Sequence, residues 1–336
     1  MGELVSIIIP IYNQEAYLER SLNAILSQSY PNIEVVCVND GSTDSSGEVL
    51  KQYQNRDSRI KIVNQENGGL VHAVVTGVKH SHGEYICFLD SDDYVGDGYV
   101  EFFIKRIGDA DFIASSHFID SGNNVVENKI ASDVVCEEYE IKRLVSNLVW
   151  DVDKKCLSKN VLNSRWNKMY VSDCVKQFID FYDECKDISF GEDTIFTYFL
   201  LKNAKKGILL SEANSYYYNT GNQNSMMTSG KIGQHIKRAE ESLVLLKRYM
   251  TEYGDSCEQA YAMYFYLIES LFQRLEYQDN EKEFKELYKR LKKDRNYQQA
   301  LRFLLNKSEG KRKIVFLLRI IIPTAKLYKF LFKLNR

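Results

Sequence analysis

At 336 residues, 44% of them hydrophobic and 27% charged, the chain can fold as one large domain or two ordinary ones. Its net charge of −2 is uneven: residues 311–336 hold eight of the 44 Lys and Arg and no acid, which leaves −10 on the rest. An acidic body with a basic tail excludes general nucleic-acid binding and puts any anionic partner at the tail.

Val5-Ser6-Ile7-Ile8-Ile9 reads as a buried strand stopped by Pro10, with Ile11-Tyr12-Asn13 as the loop after it. Glu15–Ser27 has apolar residues at helical spacing. A second strand, Ile33–Val38, runs into the turn Asn39-Asp40-Gly41-Ser42-Thr43-Asp44, where Thr43 or Asp44 can cap the next helix. A shorter strand at 59–63, the turn Asn67-Gly68-Gly69 and a helix from Leu70 to His80 follow. Glu84–Leu89 is then a nearly continuous apolar run, as expected of a strand buried on both faces. This β-α alternation predicts right-handed crossovers and a mostly parallel sheet with helices on both sides. No GxxxxGK[ST] or strand-linked GxGxxG loop is present to cradle phosphates.

The 84–89 strand ends in three carboxylates within four residues: Asp90, Asp92 and Asp93. Their mutual repulsion and lost hydration would be relieved by a hard divalent cation, Mg²⁺ or Mn²⁺, completed by substrate phosphates. A solvated acidic turn is the plainer reading. Convergence favours a site, because Tyr12, Asp40 and the Asp90–Asp93 turn all follow strands that leave the same sheet edge, where open α/β sheets bind ligands.

Further on, helices are expected at 97–107 and 137–149, a strand at 111–117, and a strand or hairpin across 125–135. Arg165-Trp166-Asn167-Lys168-Met169-Tyr170 precedes a helix begun by Ser172, and Lys168 either meets a phosphate or is a surface lysine beside Trp166. Gly191-Glu192-Asp193 opens a helix through Asn203. Acids there complement the helix dipole, and one held ionised could equally be a general base. Strands at 206–210 and 216–218 lead to a polar loop, 219–225, able to act as a lid. Residues 231–306 read as helical throughout, so the domain boundary is placed near 225, giving 1–225, a helical extension 226–310 and the tail 311–336. Those helices could pair two chains as readily as finish one core. The tail, apolar residues beside lysines on both sides of Pro323, reads as an amphipathic segment for an anionic membrane surface; docking on the helical extension is the other reading.

Seven scattered cysteines without a CxxC pair, and no signal peptide before Val5, suggest a reducing cytoplasm. Five histidines without an HExxH-type cluster argue against zinc, and no apolar run reaches the ~20 residues of a membrane span.

Assembled, segments 5–44, Asn67-Gly68-Gly69, GEYICFLDSDDY (83–94), RWNKMY (165–170), Gly191-Glu192-Asp193 and YYYNTGNQNS (216–225) resemble the inverting family 2 glycosyltransferases of the GT-A fold. The likeness is strongest to bacterial enzymes of capsule, exopolysaccharide or lipopolysaccharide assembly. The resemblance implies an α/β GT-A domain followed by an all-α extension, and a cytoplasmic enzyme peripheral on the plasma membrane. It implies a nucleotide-sugar donor, most often UDP-linked, and a glycan or lipid-linked oligosaccharide acceptor. Tyr12 would stack on the nucleobase and Asp40 hydrogen-bond it. Asp90 would lie near the ribose, with Pro10, Glu15, Ser91 and Lys168 among the donor contacts. Asp92 would bind the metal and Asp193 act as general base, with Asp93 and Glu192 as accessories. Relatives commonly show an Arg-Asn pair where this chain has Val74 and Val75, which leaves donor-phosphate contacts from that helix open; nearby His72 is either a donor contact or a surface histidine. Two other readings stand beside this one: a degenerate scaffold that binds a partner glycosyltransferase, and a sugar nucleotidyltransferase. The second is disfavoured because PIYNQE lacks a glycine- and basic-rich triphosphate loop.

Overall fold

The computed structural model describes residues 2–151, 156–157, 161–188, 190–222, 232–277, 280–309 and 313. They form two compact units. The first takes in Met1–Val145, Val161–Ser189 and Phe196–Gln223; the second takes in Ser146–Asn160, Phe190–Ile195 and the chain from Asn224. Two short stretches expected within 1–225 thus group with the helices of the second unit.

The first unit alternates as expected through β1 (Val5–Ile11), α1 (Glu15–Leu26), β2 (Ile33–Asp40), α2 (Ser46–Arg56), β3 (Ile60–Gln65), α3 (Gly69–Lys79) and β4 (Tyr85–Phe88). Then come β5 (Tyr94–Val95), α4 (Tyr99–Ile104), β6 (Phe112–Asp120), β7 (Val125–Asn128), β8 (Val134–Cys136) and α5 (Glu138–Ser146). The short strands β9 (Trp150–Asp151) and β10 (Cys156–Leu157) pair only with each other. After them follow β11 (Lys168–Val171), α6 (Ser172–Lys176), α7 (Ile179–Asp183), α8 (Glu192–Asn203) and β12 (Gly207–Asn219). The main sheet is ordered β3-β2-β1-β4-β11-β6-β12-β5, with β7 paired to β6 and β8 to β12.

The parallel half, β3-β2-β1-β4, agrees with the sequence reading. The other half is mixed: β12 runs parallel to β6, but β11 is wedged antiparallel between β4 and β6. Pro10 does not end β1; the strand runs on to Ile11, in register with Asn39. The strand or hairpin expected across 125–135 is two separate strands with different partners.

Period-two burial places β1 between two helical layers. Val5, Ile7, Ile9 and Ile11 face α1, whose Leu18, Leu22 and Ile25 share their core cluster. On the opposite face Ile8 lies under α3. A Cβ at Gly77 would fall 2.3 Å from Ile8 Cγ2 and 3.3 Å from Val38 Cγ2, so only glycine lets that helix settle on the sheet. Each fully buried aliphatic side chain contributes about 1.5–3 kcal/mol, which favours the register that sets the strand ends level.

The second unit holds α9 (Ile232–Glu252), α10 (Glu258–Tyr277), α11 (Glu281–Leu291) and α12 (Arg295–Lys307), in line with the expected helical extension. Asn280 and Asp294 cap α11 and α12 through the amides of Glu283 and Tyr297. Trp150 packs edge-on to Phe303, 6.2 Å between ring centroids, and Gln259 accepts hydrogen bonds from the Val149 and Trp150 amides, which is why this segment groups with the helices. Among the described residues no helix is long and apolar enough to cross a membrane. The tail from Ile314 onward, and the expected lid from Gln223, lie outside the described residues.

Candidate functional site

The register of β1 on β2 pairs Ile11 with Asn39, so Tyr12 emerges beside Asp40. Tyr12 is 48% exposed, unusual for a large ring and available for stacking. The two loops are knitted together. Asn13 Oδ1 accepts the Thr43 amide at 2.8 Å, and the Asn13 amide donates to Ser42 Oγ at 3.1 Å. Glu15 Oε2 accepts the Ser45 amide at 2.9 Å, while the Glu15 amide donates to Asp44 Oδ2 at 3.0 Å. Asp44 Oδ1 also takes the Ser46 amide, so it satisfies the start of α2 from just before the cap position, Ser45. Glu15 thus helps fix the loop geometry, and Pro10 is a buried member of β1 opposite Val38.

Asp40 is 3% exposed. Its carboxylate accepts from Gln65 Nε2 (2.7 Å), the Gly68 amide (2.8 Å) and the Gly69 amide (2.9 Å). The Asn67-Gly68-Gly69 turn is therefore built around Asp40. A carboxylate offers about four acceptor positions, so about one is left for a further donor. His72 is bound by Asp183, Nδ1 to Oδ1 3.2 Å. Val74 and Val75 are buried in α3 and offer nothing to a phosphate.

The Asp90–Asp93 turn closes with the Asp93 amide donating to the Asp90 carbonyl at 3.0 Å. Its backbone is pinned from α1: Ser21 Oγ donates to the carbonyls of Ser91 (3.0 Å) and Asp93, and Arg20 Nη2 to that of Asp92 (2.9 Å). Ser91 itself is buried. Asp93 points inward and is wholly buried. Its Oδ2 accepts from Tyr216 Oη at 2.6 Å and its Oδ1 from the Asn219 amide at 2.7 Å. Burial first, then the neighbouring Asp90 and Asp92 charges, push its carboxyl well above the usual carboxylate range, although the Tyr216 and Asn219 hydrogen bonds oppose this. Asp93 therefore locks the turn to β12. Asp93, expected as an accessory, has both its oxygens engaged by Tyr216 and the Asn219 amide.

Asp92 is half-buried, and its Oδ2 accepts from Asn222 Nδ2 at 2.8 Å. The Asp90 side chain is 26% exposed and lies 3.7 Å from Arg165 Nη2. Arg165 is 1% exposed, its Nη1 lies 3.4 Å from Tyr182 Oη, and its carbonyl accepts the Tyr170 hydroxyl at 2.6 Å. Lys168 differs from expectation. It is wholly buried, with Nζ donating to the Ser164 carbonyl (2.5 Å), Asn167 Oδ1 (2.9 Å) and the Trp166 carbonyl (3.3 Å). An ammonium out of water must fill its donors from the protein, and here it staples the 164–167 loop. The cation that segment delivers beside the acidic turn is Arg165, which sequence reasoning passed over; RWNKMY offered two cations and no pattern to choose between them.

The three tyrosines of β12 alternate sides. Tyr216 and Tyr218 stack on Trp166 at 4.7 and 5.1 Å, and Tyr217 stacks between Tyr94 and Phe118 at 4.7 and 5.0 Å. This aromatic packing fixes the strand that carries Tyr216 and Asn219 to the acidic turn. Glu192 and Asp193 begin α8 in the second unit, Glu192 buried and Asp193 half-buried.

Among the described residues no group of three or more His, Cys, Asp or Glu forms a metal cage. The oxygen donors at the turn, Asp92 with Asp90 beside it, fit a hard cation that takes one or two carboxylates and completes its shell from phosphates and water. Six free cysteines are seen, five of them buried, and burial raises the Cys37 thiol to about 12, which suits core packing.

A doubly covered sheet with acidic residues level at its carboxyl edge is the architecture of the GT-A glycosyltransferases. Residues 6–157 match the family described as Glycosyl transferase family 2. Glycosyltransferase GlyA of Streptococcus pneumoniae is 36% identical over 174 residues, 51% of this chain and 25% of GlyA. The uncharacterized glycosyltransferase EpsJ of Bacillus subtilis is 30% identical over 235 residues, 67% of this chain and 63% of EpsJ. The matched stretch thus spans less than two thirds of either relative. Residues 1–349 of S. aureus TarS, crystallised with UDP-GlcNAc, share the fold at TM-score 0.64 and 20% identity, covering 98% of this chain and 90% of that one.

Proposed function

We propose that the chain is a metal-dependent, inverting glycosyltransferase that moves a sugar from a UDP-linked donor to a hydroxyl of a growing, lipid-linked surface glycan. The observation that carries this reading is the parallel register of β1 with β2 and β4, which puts the loops bearing Tyr12, Asp40, Asp90 and Asp92 at one sheet edge, within residues that match the Glycosyl transferase family 2 model. The UDP-GlcNAc held by TarS, on the same fold, favours uridine over guanosine.

In this reading the exposed Tyr12 ring stacks on the base, and Asp40 gives its remaining acceptor position to a base N–H. Asp90, with Arg165 behind it, faces the ribose, and Asp92 with Asp90 would hold Mg²⁺ or Mn²⁺. A bound divalent cation would supply charge stabilisation to the departing diphosphate. Asp193 removes the acceptor hydroxyl proton as that oxygen attacks the anomeric carbon. The bond to the diphosphate oxygen breaks in the same displacement, so the configuration inverts.

The membrane part of the reading gains support from the second unit. Lys289, Lys292, Lys293, Arg295 and Arg302 are exposed on and between α11 and α12, and among the described residues they form no ion pair. Lys293, Arg295 and Arg302 line an open cleft of about 460 Å³. Cations near an anionic bilayer contribute about 1 kcal/mol each. These cations support the reading of a peripheral position on an anionic membrane surface.

The test is calorimetric titration of UDP and GDP, with and without Mn²⁺, on wild type and Asp92→Ala. Metal-dependent binding of UDP that is lost with Asp92 is the expected result. Asp193→Asn is expected to bind UDP normally and to stop transfer. Binding of neither nucleotide by the wild type would sink the donor assignment and favour the scaffold reading.

A further inference from the structure

The helical unit does more than extend the fold. We propose that α9 and α10 form the seat that positions Asp193, with Ser242 and Gly191 as its positioning residues; this deepens the reading of Asp193 as the base and rests on it.

The turn before α8 is anchored on the helical unit at Phe190 and Gly191. Ser242 Oγ, on α9 and wholly buried, donates to the Phe190 carbonyl at 2.5 Å. The Phe190 ring packs edge-on to His235 of α9, 5.7 Å between centroids. Gly191 sits at φ +93, where a side chain is strained. A Cβ there would lie 2.9 Å from Leu267 Cδ1 and 3.4 Å from Met263 Sδ, both on α10, and 3.7 Å from Ser242 Cβ. The Gly191 carbonyl then takes the Ile195 amide at 3.3 Å and starts the helix that carries Asp193 on its first turn. Asp193 is thus two residues from a positive-φ turn against which α9 and α10 both pack. Catalytic groups lose rate steeply with small displacements, so the clamp sets kcat rather than donor affinity.

The experiment compares wild type with Ser242→Ala and Leu267→Ala, and uses Leu304→Ala, buried on α12, as the stability control. The reaction is hydrolysis of UDP-GlcNAc, UDP-glucose and UDP-galactose with Mn²⁺. Water attacks the anomeric carbon, Asp193 takes its proton, and UDP leaves with the electron pair of the broken C–O bond. Expected for Ser242→Ala and Leu267→Ala is a kcat lowered about 10- to 100-fold, with KM and UDP affinity within about twofold. Leu304→Ala should lower the melting temperature and keep kcat. A second arm, hydrogen–deuterium exchange over residues 190–196, needs no turnover. Exchange there should speed about tenfold in Ser242→Ala and stay unchanged in Leu304→Ala. Unchanged exchange in Ser242→Ala, or equal kcat losses in Ser242→Ala and Leu304→Ala, would overturn the inference. Faster exchange in Ser242→Ala with no hydrolysis by wild type would leave the seat standing and sink the donor reading instead.

Discussion

Breaking the Arg165–Asp90 pair should uncouple the acidic turn from the strand behind it. Two unit charges 3.7 Å apart attract by about 4 kcal/mol at an effective dielectric near 20. Arg165 is 1% exposed, so it feels most of that, but the Asp90 side chain is 26% exposed and water screens its end. After that discount the net coupling should be on the order of 1–2 kcal/mol. Arg165→Met keeps the volume and removes the charge, leaving Asp90 beside Asp92 and Asp93 without that cation. It should cost about 3 kcal/mol, as expected when a buried pair loses one partner. The assay is urea unfolding of Arg165→Met, Asp90→Asn and the double variant, with UDP titration on each. The double variant should be about 1–2 kcal/mol less destabilised than the sum of the singles. UDP affinity should fall in Arg165→Met, because Asp90, proposed to face the ribose, is no longer held. Additivity within about 0.3 kcal/mol would refute the pairing and return Arg165 to a packing role.

Tyr216→Phe removes the hydroxyl that donates to Asp93 at 2.6 Å and leaves a buried carboxyl oxygen short of a partner; urea unfolding should show a loss of about 1–3 kcal/mol, and a loss below ~0.3 would contradict the lock. His117 is held down to about 4, by burial first and then by the Lys168 charge. An unfolded histidine titrates near 6.5, so the unfolded chain binds the extra proton between about 6.5 and 4, and stability should fall as pH drops through that window by on the order of 3 kcal/mol at most. His117→Gln should flatten that part of the stability–pH curve, and an unchanged slope would assign it to other groups. Removal of residues 311–336 together with Lys293→Glu and Arg302→Glu should abolish sedimentation with phosphatidylglycerol vesicles while UDP binding persists; retained sedimentation would rule out this surface as the membrane contact.

The parallel half of the sheet was readable because a strand buried on both faces writes itself as a nearly continuous apolar run, as Ile33–Val38 and Glu84–Leu89 do. β11 was not, because four residues beginning with a buried lysine carry no such signature, and that lysine is accommodated by hydrogen bonds to the 164–167 loop. β12 read as two pieces because Ser211 and Glu212 interrupt its apolar run where the pairing to β6 shifts register. The helical extension was legible as helix. That the Phe190–Ile195 turn groups with it was not, since Gly191 announces only a turn and its neighbours Met263 and Leu267 lie more than seventy residues away.

The acidic turn divides the same way. Three carboxylates in four residues are visible in any reading of the chain, but their division of labour is set from far off. Tyr216 and Asn219, 123 and 126 residues from Asp93, take up both its oxygens and turn it inward. The Asp93 amide closing on the Asp90 carbonyl leaves Asp90 partly exposed and Asp92 half-buried. Burying one acid of three also limits the charge the turn must carry, because a carboxyl pushed above its usual range by burial, and then by its acidic neighbours, is the one that surrenders its charge most readily. A turn with two acids available and one withdrawn matches a cation that wants one or two carboxylates and leaves its other positions to phosphate. Asp92→Ala should therefore cost metal-dependent nucleotide binding with little loss of fold, and Asp93→Ala should cost the fold first.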